Sequence, residues 1–326
     1  MELSRGNVVE DLIRWRDYYL QHCNTKGISP RSREIYSGIM TELTEYIKNN
    51  SPNMHIGKLD WVFINDFMRF KEEKRGKLLS DRTFKLYYTV IKAWFVFISG
   101  EITDPDNTID LGKNVAGLKR KVKRKTVVGY TPDQTDKLEY TVENLKELHR
   151  KKPKKSIVVY RNALIFKILL YTGIRAIEMS RLTYQDLESY TSETDGIPQY
   201  RILVVGKGDN ERYVYIDRVE VDEELAVLSR HFTPDSLIAV SRTGKPLGPV
   251  QINHNISRLA KAAGMTKRGV HIYRHTFAQK KISENVNMET LRQALGHSDI
   301  GITAAFYAAN SEKNKSDAFS SSKNRR

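Results

Sequence analysis

Residues 119–125 read KRKVKRK, six cations in seven positions, and no apolar core accommodates such a run. Mutual repulsion keeps the segment extended and solvated, so it acts as a connector and leaves the 326 residues to fold as two separate halves. That length is enough for two domains, each with its own core. The expected division is residues 1–117, a basic linker over 118–129, a second domain over 130–310, and a polar tail over 311–326, SEKNKSDAFSSSKNRR, too poor in apolar residues to pack.

Charge says what the chain meets. Lysine and arginine number 54 against 39 acidic residues, a formal net charge of +15, which favours a polyanion. No basic amphipathic helix with a strong apolar face stands out, so nucleic acid is preferred over an anionic membrane. Lys119, Arg120, Lys121, Lys123, Arg124 and Lys125 of the linker are placed to lie along phosphates and release counterions. No apolar run is long enough to span a bilayer, and MELSRGNVVEDL lacks the apolar centre of a signal peptide, so a cytoplasmic, DNA-associated protein is expected. The single cysteine, Cys23, excludes an internal disulfide and a cysteine-rich zinc site and reads as a packing residue near a helix end.

The first half reads as helices around one core. VVEDLIRWRDYYLQHC is helical in period and is interrupted at Lys26-Gly27. Ser29-Pro30 opens a second helix in which Ile35, Ile39, Leu43 and Ile47 make a core-facing stripe. A third helix is expected from Trp61 to Lys74, and a fourth after Ser80 through FKLYYTVIKAWFVFI. In the second half, after a fresh start at Tyr130-Thr131-Pro132-Asp133, VVYRNALIFKILLYTG is a buried helix stopped by Gly173, and another helix begins around Arg175. YRILVVGKGDNERYVYID alternates on both sides of a Gly-rich tip, a hairpin signal. Helices follow again in VQINHNISRLAKAAG, HIYRHTFAQKKISEN and METLRQALG, and in the segment holding Tyr307.

Four short segments carry chemistry-bearing side chains. TGIRAIE holds Arg175 with Glu178 one turn later; VVGKGDNER puts Lys207 at the hairpin tip; HIYRHTFA sets His271 and Arg274 at i and i+3 on one helix face; LGHSD places His297 in a turn. Each alone is unremarkable. Together with a following tyrosine they suit attack on a phosphodiester. Guanidiniums bind nonbridging oxygens and stay charged. Fixed positive groups stabilise a pentacoordinate phosphorus without a metal. A lysine can protonate a leaving 5′ oxygen, imidazoles can move protons, and nearby cations activate a phenol. His271 and His275 at i and i+4 have a zinc-helix spacing but no third ligand in view, so no metal site is expected, and His275 reads as a structural hydrogen-bonding residue.

In order and type, Arg175, Lys207, His271, Arg274, His297 and a tyrosine beyond it resemble the boxes of the tyrosine recombinase (phage integrase, Xer-like) family over most of residues 130–310, and KGISPRSREIY and LLSDRTFKLYYTVIKAWFVFI resemble its N-terminal domain. The resemblance implies a two-domain, mainly α protein: an N-terminal helical core-binding domain and an α+β catalytic domain with a small antiparallel sheet, clamped around duplex DNA. It implies site-specific strand cleavage through a 3′-phosphotyrosyl intermediate and rejoining by a 5′ hydroxyl, with no metal, ATP or other cofactor. Arg175 and Arg274 would clamp the scissile phosphate, Lys207 would be the general acid, and His271 and His297 would support phosphate and proton traffic. Glu178 would orient the arginine region. A homo-tetramer on two DNA sites is implied, with the tail reaching a neighbouring protomer, and no separate arm-binding domain is expected. Laid on LGHSDIGITAAFY without a gap, the pattern puts the nucleophile on Phe306, a Tyr-to-Phe replacement; with one extra residue in the helix, Tyr307 attacks. The rivals are a DNA clamp of the same fold that does not cut and a relaxing enzyme like the type IB topoisomerases.

Overall fold

The computed structural model describes residues 8–102, 110–116, 129–206, 210–297 and 303–304. The chain divides after Lys125 into two compact units, each built on its own apolar core.

In the first unit four long helices, α1 (Val8–Thr25), α2 (Pro30–Asn50), α3 (Trp61–Arg75) and α4 (Asp81–Glu101), precede the short α5 (Leu111–Asn114). The helix starts are set locally. Ser29, Asp60 and Ser80 accept the backbone N–H groups of Ser32, Phe63 and Thr83, satisfying donors a helix cannot satisfy itself. Leu12, Trp15, Leu43, Ile47, Phe67, Ile91 and Trp94 are completely buried between the helices, and Cys23 packs in the last turn of α1. The expected stripe on α2 holds for Ile39, Leu43 and Ile47 but not for Ile35, which is 38% exposed. The reason is geometric: steps of four residues overshoot a turn by about 40°, so three steps carry Ile35 about 120° from Ile47.

The second unit begins with α6 (Pro132–His149), which opens on a reciprocal cap between Thr131 and Gln134, and α7 (Pro153–Thr172). Leu164, Phe166, Ile168 and Leu169 of α7 are buried on all sides because α6, α9 (Arg218–Leu228) and α11 (Val270–Ser283) pack around it. The helix expected to begin around Arg175 does begin there and is a single turn, α8 (Ala176–Met179). The hairpin is present as β2 (Pro198–Val205) and β3 (Glu211–Asp217), paired from Gln199–Asp217 to Val205–Glu211, and Gly206 closes it by donating to the Asn210 carbonyl. Ile202, Val204, Val214 and Ile216 point into the core while Tyr213 and Tyr215 face outward. A third antiparallel strand, β1 (Leu187–Thr191), lines up along β2. The remaining helices are α10 (Pro249–Ala262) and α12 (Met288–Leu295).

A charged network ties α6, α7 and α9 together. The buried Lys146 ammonium lies 2.7 Å from Glu143, 2.5 Å from Glu223 and 2.6 Å from the fully buried Glu224. Lys167 adds a contact of 2.9 Å to Glu224, and the Tyr160 hydroxyl donates to Glu223. Burial works against the charge on Lys146, but bonds to the three carboxylates outweigh it and hold its pKa above the ordinary value.

Candidate active site

The backbone places Arg175 before its side chain does anything. Gly173 ends α7 at φ 64°, and a Cβ there would lie 2.6 Å from the Phe277 ring, so the turn needs glycine both for its dihedral and for room. The next residues close the turn of α8 when the Arg175 backbone N–H donates to Glu178 Oε2 at 2.7 Å. Glu178 is 3% exposed and gathers three more N–H groups: Arg175 Nη1 at 2.9 Å and Arg212 Nη1 at 3.0 Å on Oε1, and Arg212 Nη2 at 2.9 Å on Oε2. Burial alone would raise the Glu178 pKa. The Arg212 hydrogen bonds and the Arg175 backbone N–H reverse the sign and hold it below the ordinary range.

Three arginines then read three consecutive carbonyls at the end of α12. Arg212 Nε donates to Ala294 at 2.8 Å, Arg274 Nη2 to Leu295 at 2.5 Å, and Arg175 Nη2 to Gly296 at 3.0 Å. These are carbonyls the helix itself leaves without partners, at the negative end of its dipole, so guanidiniums gather there for a local reason. Gly296 is left-handed at φ 61°, and a Cβ on it would sit 3.0 Å from the Arg212 guanidinium.

Arg274, from the first half of α11, donates its other terminal nitrogen to the Gly173 carbonyl at 2.7 Å. It is 6% exposed and forms no ion pair among the described residues. Burial, then the nearby Arg175, push its guanidinium down to about 9, against a smaller opposing pull from Glu178; at neutral pH it remains a cation. Among the described residues the cluster therefore holds Arg175, Arg212 and Arg274 against the single carboxylate of Glu178, an excess of positive charge in a mostly buried place.

His297 follows directly. It is 6% exposed, and its Nδ1 shares a hydrogen bond of 2.9 Å with the buried Thr303 hydroxyl. Burial first, then Arg274, Arg175 and Arg212, lower its pKa to about 4, so the ring is neutral at physiological pH. His275 is lowered to about 4 as well, by burial and then by His271 and Arg274. His271 stands in the first turn of α11, exposed, one turn before the buried Arg274. The structure thus brings Arg175, Arg274 and His297 together, whereas His271 stands exposed one helical turn from Arg274. Lys207, Phe306, Tyr307 and the linker cations Lys119, Arg120, Lys121, Lys123, Arg124 and Lys125 lie outside the described residues.

The sequence reading missed Arg212. A signal existed: residues 212, 214 and 216 share one face of β3, and Val214 and Ile216 are buried, so a cation on that face needed a partner inside. As for metals, the carboxylates that come close enough among the described residues are those of Glu143, Glu223 and Glu224, and the Lys146 ammonium already touches all three. No helix among the described residues is long and apolar enough to cross a membrane.

Comparison with known proteins adds the lineage. The model of the Phage integrase family matches residues 139–314, more than half of the chain, and that of the phage integrase SAM-like domain matches residues 11–96. The chain belongs to the phage integrase family. Among relatives of this family, tyrosine recombinase XerH of Campylobacter jejuni is 29% identical over 158 residues, 48% of this chain and 43% of that protein. Tyrosine recombinase XerC of Anoxybacillus flavithermus is 24% identical over 292 residues, 86% of this chain and 88% of that one. The chain therefore spans less than half the length of the former relative and most of the latter. The fold is that of the XerH site-specific recombinase bound to palindromic difH substrate in a post-cleavage complex, with a TM-score of 0.77, 18% identity and 97% of each chain covered.

Proposed function

We propose that this protein is a site-specific DNA recombinase that cuts and rejoins strands through a phosphotyrosine, without metal or nucleotide. The observation that carries the reading is Arg274: a buried guanidinium with no carboxylate among the described residues, beside Arg175, on carbonyls alone. Burying an unmatched cation is costly, and an anionic ligand relieves the cost. A DNA phosphate supplies that anion, and the chain's net charge of +15 draws the duplex in.

In this mechanism Arg175 and Arg274 hold the nonbridging oxygens, and neutral His297, its ring fixed by Thr303, donates a hydrogen bond as charge builds on phosphorus. His271 assists proton movement at the exposed rim. Tyr307 attacks, because of the two adjacent aromatics it alone carries a hydroxyl. The phenol gives its proton to His271 as its oxygen bonds to phosphorus, the bond to the 5′ oxygen breaks, and Lys207 gives that oxygen a proton. A 5′ hydroxyl from a second strand reverses the sequence. Four strands must be cut across two duplexes, so we assign a tetramer on two sites, with the linker cations on the phosphate backbone.

Incubation with a nicked suicide duplex carrying a candidate attachment site tests this. A covalent protein–DNA band that vanishes in Tyr307→Phe and persists in Phe306→Leu is expected. Binding with no adduct in the unaltered protein refutes cleavage and leaves a DNA clamp; an adduct lost in Phe306→Leu but kept in Tyr307→Phe refutes the assignment of the nucleophile.

A further inference from the structure

Arg175 has two side-chain anchors, Glu178 Oε1 and the Gly296 carbonyl, and Arg212 holds the surroundings of both. Its two terminal nitrogens grip both oxygens of Glu178, while its Nε holds the Ala294 carbonyl, two residues before Gly296. The Arg212 side chain is 12% exposed and that of Glu178 is 1% exposed, so water does not offer competing partners. The missing side chain at Gly296 is part of the same fit, since the Arg212 guanidinium lies where a Cβ would crowd it. One planar fork thus spans the turn of α8 and the end of α12, two segments more than a hundred residues apart in sequence.

We infer that Arg212 is a positioning residue for the phosphate clamp: it fixes the distance between Glu178 and the last carbonyls of α12, and through them the pose of Arg175. The inference rests on the proposed reading of Arg175 as a phosphate ligand. A lysine cannot replace it, because a single ammonium nitrogen cannot pair with both carboxylate oxygens in plane and still reach a carbonyl on the far side. Arg212 would act through Arg175 and would not itself touch the DNA.

A purely structural arginine and a positioning one respond differently to the charge of the substrate. The test compares strand cleavage of a suicide duplex whose scissile group is an ordinary phosphate with one bearing an uncharged methylphosphonate. The methylphosphonate needs less cationic help, so loss of Arg175 should matter less there. Arg175→Ala is the reference, and Arg212→Lys and Arg212→Met are the probes. All are measured at saturating DNA, with folded protein quantified by thermal melting. If Arg212→Met strands Glu178 and fails to fold, Arg212→Met with Glu178→Gln removes both charges together and takes its place.

The expected result is a loss of about 10–100-fold for the Arg212 variants on phosphate, with DNA affinity little changed, and a much smaller loss on methylphosphonate. Equal losses on both substrates, while Arg175→Ala is relieved by methylphosphonate, overturn the positioning role and leave Arg212 a scaffold residue. If Arg175→Ala itself is not relieved, the phosphate-clamp reading fails first, and the inference falls with it.

Discussion

Near Lys146, two ammonium groups meet three carboxylates; near Glu178, the one carboxylate among the described residues pairs with Arg175 and Arg212, while Arg274 lies beside them on carbonyls. Both clusters have a buried centre in the same unit, and both join elements distant in sequence. Their titration runs in opposite directions: Lys146 is held more firmly protonated than a free lysine, whereas Arg274 is pushed down to about 9. The first cluster has one carboxylate more than it has ammonium groups and so offers nothing to an anion. The second has, among the described residues, fewer carboxylates than guanidiniums, which favours an anionic ligand. Buried charge by itself says little about function; the sign of the imbalance says which cluster waits for a substrate.

The sharpest way to break this comparison is to take the buried cation out of the acid-rich cluster. Lys146→Met should destabilise the protein by about 3–5 kcal/mol, because Glu224 is left buried and short of counter-charge. Denaturant unfolding measures it. Cleavage per folded molecule should not change, and a specific loss of cleavage would erase the distinction between the clusters.

The second perturbation relieves the open cluster. Arg274→Ala should slow covalent adduct formation by about 10²–10³-fold, the usual cost of removing a group that stabilises charge in the transition state. Its stability should fall far less than that of Lys146→Met, because the cation it removes has no ion pair among the described residues to break. A melt as damaged as that of Lys146→Met would make Arg274 structural.

The smallest effect concerns pH. His275 and His297 have folded values of about 4 against an ordinary 6.5, so the unfolded chain binds their protons more readily. The stability they contribute is complete above about 6.5 and drains away as pH falls toward 4. Melts recorded between pH 7 and 4.5 should show this loss, and His297→Asn should flatten the slope. A slope unchanged in that variant would mean His297 is not buried beside the arginines.

Much of this was legible in the sequence, and what was not has physical causes. Ser29-Pro30, Ser80 and the Gly-Lys-Gly-Asp-Asn tip are local signals, decided by neighbouring residues, and the caps and the hairpin appear where they pointed. β1 escaped because LESYT exposes most of its side chains and so lacks the apolar alternation that marks a half-buried strand. α9 escaped because RVEVDEELAVL looks like a solvated acidic stretch; only folding brings Lys146 and Lys167 to Glu224. In the site, Arg175, Arg274 and His297 were readable as residue types in order. Their meeting place, three successive carbonyls of α12, was not, since backbone oxygens leave no trace in composition.

Gly129 lies where a side chain has no room. Its N–H is bound by Gln279, the Tyr130 N–H by the Thr276 hydroxyl, and a Cβ at 129 would fall 2.5 Å from the Thr276 nitrogen. The strand of chain entering the second unit is therefore riveted, backbone against backbone, to the helix that bears Arg274. Even a methyl group at 129 would push this stretch of backbone off the turn of α11 that follows Arg274.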